Sequence, residues 1–325
     1  MRICIFGAGA TGGFLGARLA RGGVPVTLIA RGAQLAAIRA VGLTLREADG
    51  TSFTAAPTLA TDDPAVAGEQ DAVILAVKAH QLPAAAASLR PLLGPETMVV
   101  AAQNGIPWWY FQRHGGPLDG RRLTSLDPDG AIAAVIAPER IIGCTVYAAT
   151  EIDAPGIVRH IEGERFGLGE LDGSRSERAL ALSRLLGGCG LKAPVTANIR
   201  TDVWIKLWGN MAFNPISALT RATLAAICAH PETRALAAAI MAEGQQVAEQ
   251  LGVRFGLSIE RRIAGAAGVG EHKTSTLQDI EAGRATEIDA LVGAVIELGR
   301  LTATPTPHLD TVYAAVKLLE RTVRR

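Results

Sequence analysis

A lysine and two asparagines, Lys206, Asn210 and Asn214, recur every four residues in a stretch otherwise filled by Val203, Trp204, Ile205, Leu207, Trp208, Met211 and Phe213. On a helix that spacing puts all three on one face, provided the helix continues through Asn214, with Pro215 placed to kink it just beyond. Burying an unpaired ammonium among large apolar side chains is costly, so the lysine needs a reason to be there. A solvated stripe on an amphipathic helix is one explanation. Trp, Met and Phe on both sides of the stripe favour another, a cleft wall carrying one acid and two amide ligands.

A second chemical feature lies at the N-terminus. Gly7-Ala8-Gly9-Ala10-Thr11-Gly12 is G-x-G-x-x-G, and it follows the apolar run Arg2–Phe6 directly. In such a loop the first glycine permits a tight turn and the second lets the backbone approach a pyrophosphate. The third lets the helix pack close to the sheet, and the phosphates sit at the helix N-terminus. The bare pattern is weak, but between a strand and a helix at the start of a complete βαβ unit it is strong. An NAD site usually carries an acid at the end of the second strand. Here that strand ends Ile29-Ala30-Arg31-Gly32. A guanidinium can pair with a 2′-phosphate, so NADP(H) is the expected cofactor.

The elements that must hold these groups can be read from periodicity. Strands are expected at Arg2–Phe6, Val24–Arg31, Asp71–Val77 and Thr97–Ala102, and a hairpin over Leu43–Thr54 turning at Asp49-Gly50. Helices are expected from the glycine loop to about Arg21, over Gln34–Val41, Gln81–Leu93, Asp129–Ile136 and Ser176–Gly187. Ile141–Thr150 and Gly156–Glu162 alternate as antiparallel strands around Pro155-Gly156, with further strands at Arg165–Glu170 and Lys192–Ala197. From Thr201 onward only helical patterns appear. The fold class is therefore α/β: an N-terminal Rossmann-type dinucleotide-binding domain, residues 1–198, followed by an all-helical substrate and catalytic domain, residues 199–325. Ligands of open parallel sheets bind beyond the carboxyl ends of the strands. Lys78 and Asn104 end the third and fourth buried strands and could face cofactor and substrate there.

Composition limits the alternatives. The chain has 325 residues, 49% hydrophobic and 19% charged, with a formal net charge of +1. That balance offers no electrostatic footprint for nucleic acid or an anionic membrane surface, and no apolar run is long enough to span a bilayer. Cys4, Cys144, Cys189 and Cys228 are scattered without metal-ligand spacing, so no metal is expected and a reducing cytoplasm fits. A later stretch runs from His272 to Asp289. In it Ser275 with Gln278 three residues on has the pattern of a helix N-cap. Glu287, one turn from Arg284, has the pattern of a surface ion pair.

Taken together and in order, these pieces resemble the ketopantoate reductase (2-dehydropantoate 2-reductase) family. The resemblance rests on the Gly7–Gly12 loop, Val77-Lys78, Gln103-Asn104-Gly105, Lys206-x-x-x-Asn210-x-x-x-Asn214-Pro215, and Ser275-x-Leu277-Gln278-Asp279 leading to Thr286-Glu287-Ile288-Asp289. It implies NADPH-dependent reduction of 2-dehydropantoate to (R)-pantoate, a step in pantothenate and coenzyme A biosynthesis. It implies that Lys206 protonates the carbonyl oxygen and that Asn210, Asn214 and Ser275 hold the substrate. Asn104 would touch substrate and nicotinamide, while Lys78 and Ala148 would contact the cofactor. Glu287 would lie near the ribose or the substrate hydroxyl and help to orient Lys206.

Some features are this chain's own. Thr223-Leu224 stands where some members carry a further asparagine. Trp108-Trp109-Tyr110 is bulky beside the expected site, and Phe111–Ser125 has the character of an insertion. Reduction of another 2-keto acid and a catalytically silent NADP(H)-binding sensor are the competing readings, and Lys206 with Glu287 argues against the second. A β-hydroxyacid dehydrogenase places a glycine-rich helix start just before its lysine, and Asn198–Ile205 contains no glycine. The partner is a small 2-keto acid, and the helical domain could pair as a homodimer.

Overall fold

The computed structural model describes residues 1–323. Within it the chain divides into two compact units. The first comprises Met1–Gln103, Phe111–Arg122 and Asp129–Ile199; the second comprises Asn104–Tyr110, Leu123–Pro128 and the chain from Arg200 onward.

The first unit is built on one nine-stranded sheet. Its strands are β1 (Ile3–Phe6), β2 (Val26–Ile29), β3 (Leu43–Arg46), β4 (Ser52–Ala55), β5 (Leu59–Thr61), β6 (Gln70–Leu75), β7 (Leu93–Ala101), β8 (Ile141–Ala154) and β9 (Ile157–Glu170). The order is β4-β3-β9-β8-β7-β6-β1-β2-β5. Strands β5, β2, β1, β6, β7 and β8 are mutually parallel, and β8 pairs with β9 antiparallel. Every residue of β1 and β2 is buried, as continuous apolar runs in a covered parallel sheet must be. Helices α1 (Ala10–Arg21), α2 (Gly32–Val41), α3 (Pro64–Ala67), α4 (Leu82–Ala85) and α5 (Glu177–Gly188) complete the unit. Strand order reverses at β1, which puts the glycine loop at the topological switch point.

Several sequence expectations change here. The helix expected over Gln81–Leu93 is a 3-10 turn at Ala79–Gln81, one α turn at α4 and a 3-10 stretch over Ala86–Leu92. Pro91 offers no N–H and disfavours the α conformation at Arg90. The helix expected over Asp129–Ile136 is a set of turns, entered through Gly130 at a φ of 73°. The three strands expected between Ile141 and Glu170 are one long hairpin. Its register shifts between Tyr147 and Ala149 across from Gly163, so a bulge replaces the expected break. The strand expected over Lys192–Ala197 reduces to isolated bridges from Lys192 and Val195. Pro194 within it has no N–H to give a ladder. β5 and α3 are too short to show periodicity, and only Asp63, whose Oδ1 accepts from Ala65 N at 2.9 Å, marks a helix start there.

The second unit's regular elements are all helical: α6 (Ile199–Thr220), α7 (Leu224–Ala229), α8 (Pro231–Gln250), α9 (Ile259–Gly268), α10 (Ser275–Glu281), a π-helical turn over Asp289–Gly293, α11 (Ala294–Leu301) and α12 (Pro307–Val323). α6 runs on through Pro215 to Thr220. Its apolar side anchors the unit. Trp208 Nε1 donates to the Met241 carbonyl at 2.8 Å, and its ring lies 4.4 Å from that of Phe255. Trp204 Nε1 donates to the Tyr110 hydroxyl at 2.8 Å, while burial pushes the Tyr110 pKa up to about 12 and keeps it a neutral acceptor. Trp108 and Trp109 are buried as well, so their bulk serves this core. No helix among the described residues is long and apolar enough to cross a membrane.

Candidate active site

The glycine loop of the first unit has the form its residues call for. Gly7, at a φ of 105°, turns the chain directly after β1. A Cβ there would lie 2.6 Å from Val77 Cγ1. A Cβ on Gly12 would collide with the Gly7 carbonyl and stand 2.9 Å from Ala76 Cβ and 3.0 Å from Ile5 Cγ2. These two glycines serve packing. Gly9 is different: a Cβ there would meet no protein atom within 4 Å. It is the N-cap of α1, no side chain caps the helix, and no acid lies in its first turn. Open space over a bare helix N-terminus suits a pyrophosphate, so the residues present fit a dinucleotide. Ala8, Ala10 and Thr11 complete the loop, and the Ala8 carbonyl accepts from Gln34 Nε2 at 2.9 Å, which ties it to α2.

Arg31 lies outside β2, as the exposed N-cap of α2, and makes no ion pair among the described residues. That leaves its guanidinium available to an anion. Lys78 begins the 3-10 turn after β6, its N–H donating to Gln81 Oε1 at 3.2 Å. Ala148 of β8 faces the bulge that β9 makes at Gly163 and Glu164.

The other polar residues gather in the second unit. Lys206 Nζ donates to Asn104 Oδ1 at 2.5 Å. Asn104 Nδ2 reaches Glu287 Oε2 at 3.5 Å, a long contact. One amide thus stands between an ammonium and a carboxylate, presenting its oxygen to the cation and its N–H to the anion. The backbone explains how it gets there. Gly105 has a φ of 87°, and any Cβ on it would strike the Ala290 carbonyl, which accepts from Ile106 N at 2.9 Å. This close approach seats Asn104 against the π-helical turn that follows Glu287. The Glu287 carbonyl accepts from Ala290 N at 3.0 Å and Leu291 N at 2.9 Å, which starts that turn. π turns of this kind recur at functional sites.

Farther along the same face of α6, Asn214 is buried and its Nδ2 lies 3.4 Å from Ser275 Oγ. Ser275 is not the N-cap of α10. Thr274 takes that role, its Oγ1 accepting from Leu277 N at 3.3 Å, and Ser275 is left exposed. Asn210 is half-buried, and its side chain makes no hydrogen bond among the described residues. The expected Arg284–Glu287 ion pair is absent among them, because Arg284 Nε pairs with Asp279 at 3.1 Å. Thr223 is committed to capping α7 and donates to Glu271 Oε2 at 2.6 Å.

Comparison with known proteins matches this arrangement to a family. The model described as ketopantoate reductase PanE/ApbA matches residues 3–173, and that described as ketopantoate reductase PanE/ApbA C terminal matches residues 198–320. The chain belongs to the ketopantoate reductase family. A 2-dehydropantoate 2-reductase from Mesorhizobium japonicum is 56% identical over 320 residues, 98% of each chain. One from Halobacterium salinarum is 30% identical over 326 residues, 99% of each. A crystal structure from Ralstonia solanacearum MolK2 is 45% identical and superposes with a TM-score of 0.94, covering 99% of this chain and 98% of the other.

Within this ketopantoate reductase fold, two features of the second unit escape sequence reading. The seating of Gly105 on Ala290 is one, although Asn-Gly after a strand is a signal for a turn at positive φ. The other is Glu297 of α11. Its carboxylate accepts from Thr124 N at 2.8 Å, Thr124 Oγ1 at 3.0 Å and Ser125 N at 2.9 Å. It thereby pins the end of the segment that the sequence marks as an insertion.

Proposed function

We propose that this ketopantoate reductase family member reduces 2-dehydropantoate to (R)-pantoate with NADPH. The observation that carries the reading is the Lys206–Asn104–Glu287 chain of contacts, with Asn210, Asn214 and Ser275 on the adjoining face. The identity to 2-dehydropantoate 2-reductases over nearly the whole chain supports the substrate. In this reading Arg31 would hold the 2′-phosphate of the dinucleotide, Gly9 and the bare N-terminus of α1 would take its pyrophosphate, and Lys78 and Ala148 would add contacts. Once bound, the dinucleotide would supply a hydride to the keto carbon.

The rest falls to the chain's own groups. As charge builds on the carbonyl oxygen, the Lys206 ammonium stabilises it and passes it a proton. Asn104 Oδ1 fixes the direction of that ammonium. The Glu287 carboxylate stands one amide away. Asn210, Asn214 and Ser275 offer neutral donors and acceptors that suit the carboxylate and hydroxyl of a hydroxylated 2-keto acid. The test is steady-state NADPH oxidation by the purified protein across a panel of 2-keto acids, repeated with NADH. The highest kcat/KM is expected with 2-dehydropantoate and NADPH. Negligible turnover of 2-dehydropantoate alongside turnover of another 2-keto acid would overturn the substrate and keep the reaction class.

A further inference from the structure

The geometry points to the C-terminal helix α12 as a splint that positions the catalytic carboxylate, with Glu320 and Thr286 as positioning residues for the reduction. The inference rests on the reading that Lys206 and Glu287 act in catalysis. Glu287 sits at the junction between the irregular stretch after α10 and the helical run of the π turn; its carbonyl accepts from Ala290 N and Leu291 N, but no helical bond holds the chain on its N-terminal side. Its neighbours are also held by side chains of α12. Thr286 is buried, and both its N–H and its Oγ1 hydroxyl donate to Glu320 Oε1, at 2.7 and 2.5 Å. The Thr286 hydroxyl oxygen in turn accepts from Ile288 N at 3.2 Å. Two residues past Glu287, Asp289 accepts from the Tyr313 hydroxyl at 2.7 Å and from Lys317 Nζ at 3.0 Å on each oxygen. Gly293, at the end of the π turn, lies against the Tyr313 ring, where a Cβ would stand 3.0 Å from Cε2.

Tyr313, Lys317 and Glu320 fall at i, i+4 and i+7, on one face of α12. They grip the chain immediately before and after Glu287, whose carboxylate reaches Asn104. Glu320 is itself buried, with Lys317 at 4.0 Å. A carboxylate kept in the interior to hold one backbone N–H and one hydroxyl is a costly way to tie down a loop. The chain it ties carries the group that reaches Lys206 through Asn104. Losing the tie lets Glu287 drift, and a misplacement of about 1 Å is enough to weaken an aligned proton donor.

The experiment uses the full-length protein and compares Glu320→Ala, Glu320→Gln and Thr286→Val with the wild type. The readouts are kcat, the KM for 2-dehydropantoate, the Kd for NADPH and the melting temperature. Glu320→Ala is expected to lower kcat by about tenfold or more while KM and the NADPH Kd move by less than about threefold. Glu320→Gln keeps an oxygen that accepts from Thr286 and is expected to restore kcat to within about threefold of the wild type. Thr286→Val removes one of the two bonds to Glu320 without changing the side-chain shape. It gives an intermediate kcat and reads the same tie should Glu320→Ala fail to fold.

Folded variants with wild-type kcat would overturn the positioning role, as would a Gln variant as impaired as the Ala variant. The two ideas fail separately. A wild-type enzyme inactive on every 2-keto acid removes the functional reading itself. An active wild type, silenced by Lys206→Ala but indifferent to Glu320 and Thr286, removes only the splint.

Discussion

Asn104→Ala is the most informative single change, because this amide touches both ionised partners of the site. The substitution removes the acceptor 2.5 Å from Lys206 Nζ and the donor 3.5 Å from Glu287 Oε2. A hydrogen bond to a charged group contributes about 1.5–3 kcal/mol. The longer contact to Glu287 adds little at that distance. The contact is also made in the free enzyme, so kcat/KM falls by the part of that energy used in aiming the ammonium at the transition state. With most of it so used, at 1.36 kcal/mol per factor of ten, kcat/KM should fall by about 10- to 150-fold. The loss should fall mainly on kcat, since the contact aims the acid, with a smaller rise in the KM for the keto acid. Cofactor affinity at the glycine loop should hold.

The assay is NADPH oxidation under saturating cofactor, with the NADPH Kd measured separately by fluorescence titration. Asn104→Asp is the companion variant: it keeps an acceptor for Lys206 but sets a second carboxylate against Glu287, so it should not recover full activity. The reasoning fails if folded Asn104→Ala stays within twofold of the wild type while Lys206→Ala is inactive. In that case the ammonium would be aimed by other groups.

Four further outcomes follow from the geometry. Gly9→Ala should fold with an unchanged melting temperature, because its Cβ meets no protein atom, yet bind NADPH at least about tenfold more weakly. Gly12→Ala should instead lower the melting temperature, because its Cβ collides with the Gly7 carbonyl; equal melting temperatures for the two variants would contradict the assignment of packing and ligand roles. Arg31→Ala should cost NADPH about 10- to 100-fold in kcat/KM through the loss of a charge-assisted contact, and NADH little, so an unchanged NADPH-to-NADH ratio counts against Arg31. For Glu297, burial alone pushes the carboxyl upward, but hydrogen bonds from Ser125 and Thr124 outweigh it and hold the pKa below the usual range. The stability this adds is full above the ordinary glutamate value of about 4.3 and is lost as pH falls through the lower folded value. Urea melts should therefore show Glu297→Ala less stable than wild type by about 1–3 kcal/mol at pH 7, with the gap closing toward pH 3.

Much of this was written locally. The G-x-G-x-x-G loop, the apolar runs of β1 and β2 and the four-residue spacing of Lys206, Asn210 and Asn214 depend on neighbours in sequence. Steric freedom at glycine and helical periodicity act over that range, so the sequence alone determined the dinucleotide-binding opening, the polar face of α6 and the helical character of the second half. It also placed a strand-end amide at Asn104. Where several weak local preferences compete, as over Gln81–Leu93 or Asp129–Ile136, prolines and a left-handed glycine tip the backbone out of a regular helix. Ser275 and Thr274 are both good caps by type, and only the path of the chain into α10 selects Thr274 and frees Ser275 for Asn214.

Which groups meet was left to the tertiary structure. Asn104 lies 102 positions from Lys206 and 183 from Glu287, and no local rule relates residues that far apart. Their meeting depends on Gly105 packing against the Ala290 carbonyl and on α12 gripping the chain beside Glu287. A shift of one residue in either contact would turn the side chains to another face. The sequence supplied the acid, the amide and the carboxylate; packing at those two contacts brought them into one chain of hydrogen bonds, because side-chain direction is set by how elements dock.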